Sequence, residues 1–192
     1  MTASRSFHRA RIGSQEVDLP LVDVSDTLTI ALLMTIDHGV RFGETAGRDL
    51  ACAVRDAEPQ LVVSAATLGI PIAVEVSRAL GIDDYLILQK SKKVHLRDAL
   101  RETVESITSD GEQALLLDRA RIPDVEGKRV VFVDDVISTG ASVLAALRLL
   151  DRAGAEVVAI GALLTEGEDW RGALGERANL VRTLGSIPLF PR

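Results

Sequence analysis

The residues Val-Val-Phe-Val-Asp-Asp-Val-Ile-Ser-Thr-Gly-Ala-Ser, positions 130–142, decide how this chain is read. The first four form an apolar, β-branched and aromatic run, the pattern of a strand buried on both faces of a parallel sheet. The run stops at Asp134 and Asp135, so two carboxylates are expected at a strand's carboxyl end. Val136 and Ile137 lead on to Ser138, Thr139, Gly140, Ala141 and Ser142, which are small and mostly hydroxylated. After these, Val143, Leu144, Leu147 and Leu150 mark one face of an amphipathic helix. Backbone N–H groups at a helix N-terminus, a glycine that permits close approach and several hydroxyls together make an anion cradle. The neighbouring acids suit sugar hydroxyls or Mg²⁺, a cation that prefers oxygen ligands. An ordinary strand-to-helix turn needs one capping side chain, not two acids followed by a run of phosphate-friendly residues.

This stretch resembles the signature by which type I phosphoribosyltransferases bind 5-phosphoribosyl 1-pyrophosphate (PRPP). The resemblance is to the purine branch, that of adenine phosphoribosyltransferase-like proteins. It implies that Asp134 and Asp135 meet the ribose hydroxyls and that residues 136–142 wrap the 5′-phosphate. It further implies an α/β fold with a mainly parallel central sheet flanked by helices, a flexible hairpin flap, and a small hood from about residues 1–45 and 165–192 within one domain spanning 1–192. The implied reaction transfers the phosphoribosyl group to a purine-type base, adenine first among them, releasing pyrophosphate in nucleotide salvage. Mg²⁺ would arrive with PRPP, with Asp134 as the candidate protein ligand, and the family pattern implies a homodimer. A regulator that senses PRPP or a nucleotide on the same fold is the alternative.

Composition sets the outer bounds. A chain of 192 residues that is 47% apolar can build one domain with a sizeable core. Its net charge of −6, with no helix-turn-helix pattern, argues against nucleic acid as a partner. Cys52 is the single cysteine, is expected to be a buried small apolar residue, and points to a reducing cytoplasm. No signal peptide or apolar run of membrane-spanning length is evident, so no membrane partner is expected.

Before the signature, residues 1–11 are basic and either frayed or an arm against a neighbour. Val17 to Val24 contains Pro20 and reads as a short edge strand. Ser25 and Asp26 look like the start of a helix carrying Leu28 to Ile36, ended by His38-Gly39. A second helix is expected from Gly43 to Ala57, stopped by Pro59.

An α/β rhythm follows. Leu61-Val62-Val63 is a buried strand, residues 64–69 a small-residue loop, and Ile70 to Leu80 a helix closed by Gly81. Asp84 to Gln89 is the next strand. In the family the first of these loops holds pyrophosphate, which places Thr67, Leu68 and Gly69 there. Adenine-type members carry an acid and a basic residue just before the glycine, whereas this chain has Ala66, Thr67 and Leu68.

Just after the second strand comes Lys90-Ser91-Lys92-Lys93. Three of the chain's four lysines fall within four residues. A leaving pyrophosphate needs concentrated positive charge, and the family has a similar basic stretch here that reaches a neighbouring subunit. Lys90 and Lys93 match it, Gln89 does not, and a solvated basic loop is the plainer reading. His95 reads as a loop or hinge residue.

Thr103 to Ile107 and Gln113 to Leu117 form a hairpin with Asp110 and Glu112 at its tip, placed where the family has its flap. Glu156 to Leu164 is a further strand. Trp170, the lone tryptophan, either stacks on a purine or packs within the hood or an interface.

Overall fold

The computed structural model describes residues 6–91, 98–104 and 113–191. Strands β1 (Phe7–Ile12), β2 (Gln15–Ser25) and β3 (Leu28–Ala31) come first, and a helical turn at Thr35–Asp37 leads into α1 (Gly39–Val54). Next are β4 (Leu61–Ala65), α2 (Gly69–Leu80), β5 (Tyr85–Leu88), the pair β6 (Ala99–Val104) and β7 (Gln113–Asp118), then β8 (Arg129–Ile137), α3 (Ala141–Arg152) and β9 (Glu156–Glu166). The chain closes with α4 (Asp169–Leu174), β10 (Val181–Thr183), β11 (Ser186–Ile187) and β12 (Phe190–Pro191).

The central sheet has the order β10-β9-β8-β4-β5, with β11 prolonging the β10 edge of β9, and every pairing in it is parallel. Strand alternation divides β8 between two cores. Val130 and Phe132 pack with α3 and with Leu115 and Leu117 of the hairpin. Val131 and Val133 pack with α1 and α2. Both faces are therefore covered by helices, which is why the sequence of β8 is apolar throughout rather than alternating. Phe132 is fully buried, and removing such a side chain from water contributes about 1.5–3 kcal/mol.

The second sheet, β1-β2-β3-β12, is antiparallel and joins the two ends of the chain. Its inner face supplies Ala10, Ile12, Leu19 and Ala31 to the core on the α1–α2 side.

Four expectations from the sequence are corrected in this region. Val17–Val24 lies within an eleven-residue strand, not a short one at the edge, that pairs with β1 through residues 15–20 and with β3 through residues 21–25. Pro20 is tolerated there because β3 ends beside it at Ala31, and its carbonyl still accepts the N–H of Leu32 at 2.9 Å. Leu28–Ile36 is not a helix: its first half is β3, whose β-branched Thr29 and Ile30 pair with β2, and helical geometry begins only at Thr35. His38 accordingly precedes α1 instead of ending a helix, and its ring lies 4.8 Å from that of Phe42. Cys52 is exposed, because the apolar stripe of α1 runs through Phe42, Ala46, Leu50 and Val54 and leaves position 52 on the outer side.

Glycine makes the α1–α2 contact possible. A Cβ on Gly47 would lie 2.4 Å from Cβ of Glu75 and 2.9 Å from its backbone carbonyl carbon. Gly47→Val should therefore push the helices apart and lower unfolding free energy by about 1–3 kcal/mol, the usual cost of overpacking. Chemical denaturation should record this as a lower midpoint at an unchanged slope.

Candidate active site

Strand β8 does not stop at its acids. It runs on to Ile137, with Asp134 opposite Ala162, Val136 opposite Leu164 and Ile137 opposite Thr165 on β9. On its other side β4 ends at Ala65, and the last registered pair is Ser64 with Val133. The acids therefore sit where β8 has outrun one neighbour but not the other, facing the turn that follows β4. The sequence placed the strand end at Asp134 because hydrophobicity changes there, whereas backbone pairing with β9 continues for three more residues.

That turn closes tightly over the acids. The Ala66–Thr67 peptide is cis, the Ala66 N–H donates to the Leu88 carbonyl at 2.9 Å, and the Ile70 N–H donates to the Thr67 carbonyl at 3.2 Å. Gly69 opens α2. A Cβ there would fall 2.1 Å from Ser64 Oγ and 3.2 Å from Asp134 Oδ1, so only glycine lets the helix start this close to the acid. Ser64 is buried, and its Oγ has no hydrogen-bond partner among the described residues. The turn thus presents backbone, not charged side chains, to the acids.

Burial dominates the electrostatics. Asp134 is 9% exposed, and loss of hydration raises its pKa well above the usual carboxylate range, with the charge of Asp135 pushing the same way. Asp135 is raised too, again chiefly by burial, although hydrogen bonds to it oppose the shift. Lys90, at the end of β5, lies close enough for its charge to pull both values back down. Lys92, Lys93 and His95 lie outside the described residues, as do Asp110 and Glu112. Gln89 exchanges backbone hydrogen bonds with Leu116 at 2.9 and 2.8 Å, which ties the hairpin to the end of β5 beside Lys90.

The cradle is a concavity of about 120 Å³ lined by residues 136–143. Thr139 Oγ1 accepts the Ala141 N–H at 3.4 Å, and the first intrahelical bond runs from the Leu144 N–H to the Gly140 carbonyl. The N–H groups of the first turn of α3 have no partner within the helix, and Ser138 and Ser142 line the same concavity. Val136 and Ile137 contribute as strand backbone, since the side chain of Ile137 is buried in the α3-side core.

Gly140 has φ +80°, and a Cβ on it would meet Ala173 Cβ at 3.3 Å and Trp170 Cα at 3.3 Å. The glycine is thus required by backbone conformation and by α4 packed behind the loop. Trp170 is buried, donates from Nε1 to the Gly167 carbonyl at 3.2 Å and has the Arg171 guanidinium 4.2 Å from its ring centroid. It backs the cradle from the core and does not offer a ring face for stacking on a base.

Comparison with known proteins agrees with this geometry. The phosphoribosyl transferase domain family matches residues 43–174. The chain belongs to that family. Among relatives of this phosphoribosyltransferase-family protein, the hypoxanthine/guanine phosphoribosyltransferase of Methanococcus vannielii is 33% identical over 132 residues, covering 69% of this chain and 67% of its own length. The hypoxanthine/guanine phosphoribosyltransferase of Methanococcus voltae is 35% identical over 107 residues, and the orotate phosphoribosyltransferase of Listeria innocua 34% over 122. These two matches cover 56% and 64% of this chain but span only about half of each relative, 53% and 49%.

The fold is that of the adenine phosphoribosyltransferase of Thermoanaerobacter pseudethanolicus, with a TM-score of 0.65, 22% identity and coverage of 77% of this chain and 80% of that one. The Giardia lamblia enzyme complexed with 9-deazaadenine gives the same TM-score at 17% identity, over 94% and 93% of the two chains. The expected α/β architecture with a parallel central sheet is thereby established.

Two polar residues around the turn after β4, Ser64 and Thr35, carry no signal in the sequence of a role in the site. Ser64, expected in the small-residue loop, is instead the fourth residue of β4. Thr35 falls inside the segment expected to be helical, and its hydroxyl donates to the Leu68 carbonyl at 2.7 Å.

The raised pKa of Asp134 has a consequence for stability. Between the unfolded-state value and the higher folded-state value the native protein holds more protons than the unfolded chain, so stability falls as pH rises through that window. Asp134→Asn removes the penalty. The melting temperature of this variant relative to wild type should be higher at pH 8 than at pH 4, as read by thermal unfolding of the ligand-free proteins.

Proposed function

We propose that this protein is a PRPP-dependent phosphoribosyltransferase that joins the 5-phosphoribosyl group to a nucleobase and releases pyrophosphate. The observation that carries the reading is the acid pair on β8, Asp134 buried and Asp135 half-buried, near both the loop at 138–142 and the turn at 67–69, which we propose as the two anion sites. Asp134 and Asp135 would accept hydrogen bonds from the ribose hydroxyls. The free amides at the start of α3, with Ser138, Thr139 and Ser142, would hold the 5′-phosphate. Thr67, Leu68 and Gly69 would hold pyrophosphate through backbone, with Lys90 of the same subunit supplying charge and Lys93 proposed to add to it.

In the reaction the bond from C1 to pyrophosphate breaks with its electron pair leaving on pyrophosphate, and the base nitrogen forms the new bond to C1 as its proton is lost to solvent or to the released pyrophosphate. The protein's part is to fix the two ends of PRPP and to stabilise charge, more than to act covalently.

Among the described residues no cluster of three or more acids, histidines or cysteines could hold a metal. Mg²⁺ would be carried by the diphosphate, since that ion commonly takes one or two carboxylates together with substrate oxygens and water. Asp134 is the proposed protein ligand, and the ion would neutralise charge on the leaving group.

For the base we propose a purine, adenine first, from the spacing of basic stretch, hairpin and signature. The hood formed by both chain ends would choose it. We also propose a homodimer in the cytoplasm. No helix among the described residues is long and apolar enough to cross a membrane.

The absence of charged side chains at Ala66, Thr67 and Leu68 favours one second reading, a sensor that binds PRPP without turnover. Incubation with PRPP, Mg²⁺ and separately adenine, hypoxanthine, guanine, xanthine or orotate should release pyrophosphate with at least one purine. PRPP binding without release for any base would support the sensor. Replacing Asp134 and Asp135 together by Asn should abolish turnover and weaken PRPP binding in calorimetry while far-UV circular dichroism stays unchanged. Unaltered PRPP affinity would remove the acids from the site. Light scattering at the mass of a monomer would reject the dimer.

A further inference from the structure

We infer that Thr35 is a positioning residue for the pyrophosphate turn, its hydroxyl holding the Leu68 carbonyl so that the next amide, that of Gly69, is aimed at the bound anion. The inference rests on the proposed pyrophosphate role of residues 67–69. In a turn without charged side chains, binding depends on where the N–H groups point. A peptide unit is planar, and in the usual trans form its C=O and N–H point in opposite directions. Fixing the Leu68 carbonyl on one side therefore fixes the Gly69 N–H on the other. Gly69 is the first residue of α2, so this N–H has no carbonyl to bond within the helix.

The clamp comes from elsewhere in the chain. Thr35 opens the helical turn that follows β3 and lies thirty-three positions before Leu68. It is 5% exposed, so water does not compete easily for the bond. The Oγ1 to carbonyl distance of 2.7 Å is that of a well-formed hydroxyl bond. No backbone requirement puts a hydroxyl there, because the turn at 35–37 has no side-chain cap at its start. The bond links the segment leading out of the small antiparallel sheet to the turn beside Asp134.

Thr35→Val and Thr35→Ser separate this role from packing. Valine keeps the branched shape and loses the donor, whereas serine keeps the donor and loses a methyl group. If the hydroxyl positions the turn, Thr35→Val should raise KM for PRPP by about 5- to 10-fold, the scale of one net hydrogen bond. In that case kcat should stay within about twofold and Thr35→Ser should behave as wild type. Calorimetry with PRPP and with pyrophosphate alone should show the same ordering.

A purely structural role predicts the reverse, with Thr35→Ser the worse variant and melting temperature moving in step with activity. That pattern, or equal PRPP affinity in all three proteins, would overturn the inference while leaving the turn's role standing. Wild-type protein that binds neither PRPP nor pyrophosphate would instead overturn the underlying reading of residues 67–69.

Discussion

The cost of burying carboxylates at the end of an apolar strand shapes this molecule. Asp134 gives up most of its hydration, and a carboxylate so placed is unfavourable unless something compensates for it. Among the described groups the compensation is slight: Lys90 acts from a distance, and the Asp135 N–H donates to Asp134 Oδ1 at 3.1 Å. The proposed ligand would bring hydroxyls and a cation to the pair. Holding the acids in place requires rigid surroundings. Those surroundings are the continuous ladder of β8 with β9 and the two cores that fix β8 from both faces.

The same constraint explains the glycines around the site. Gly69 lets α2 begin against Ser64 and Asp134, and Gly140 lets α4 approach the cradle from behind. Each turn is thus shaped by what packs on its far side. Trp170 belongs to this backing. Its indole N–H is satisfied by Gly167, and its backbone lies against the position a Gly140 side chain would occupy, so the loop that would carry the phosphate rests on the core.

The turn at residues 66–69 departs from the side-chain chemistry of adenine-type members yet keeps a defined backbone. Its hydrogen bonds tie it to two distant elements, Leu88 at the end of β5 and Thr35 beyond the small sheet, and a third joins Ile70 of α2 to Thr67. A turn held in this manner can present amides to an anion without a charged side chain.

The sequence by itself determined the strand, acids, cradle and helix of residues 130–152, because a buried parallel strand, a loop of small residues and an amphipathic helix each leave a local pattern. It also determined the α/β alternation from Leu61 onward, for the same reason. What only the tertiary structure decided depends on contacts distant in the chain. β8 continues past its acids because β9 remains paired with it, and Leu28–Ala31 is a strand because β2 and β12 lie beside it, although its apolar run with a preceding Ser-Asp reads as a helix. Cys52 is exposed because α2, β9 and the small sheet cover the other side of α1. Thr35 meets Leu68 because the path from the small sheet into α1 passes over the start of α2, and no local pattern encodes a hydrogen bond between residues that far apart.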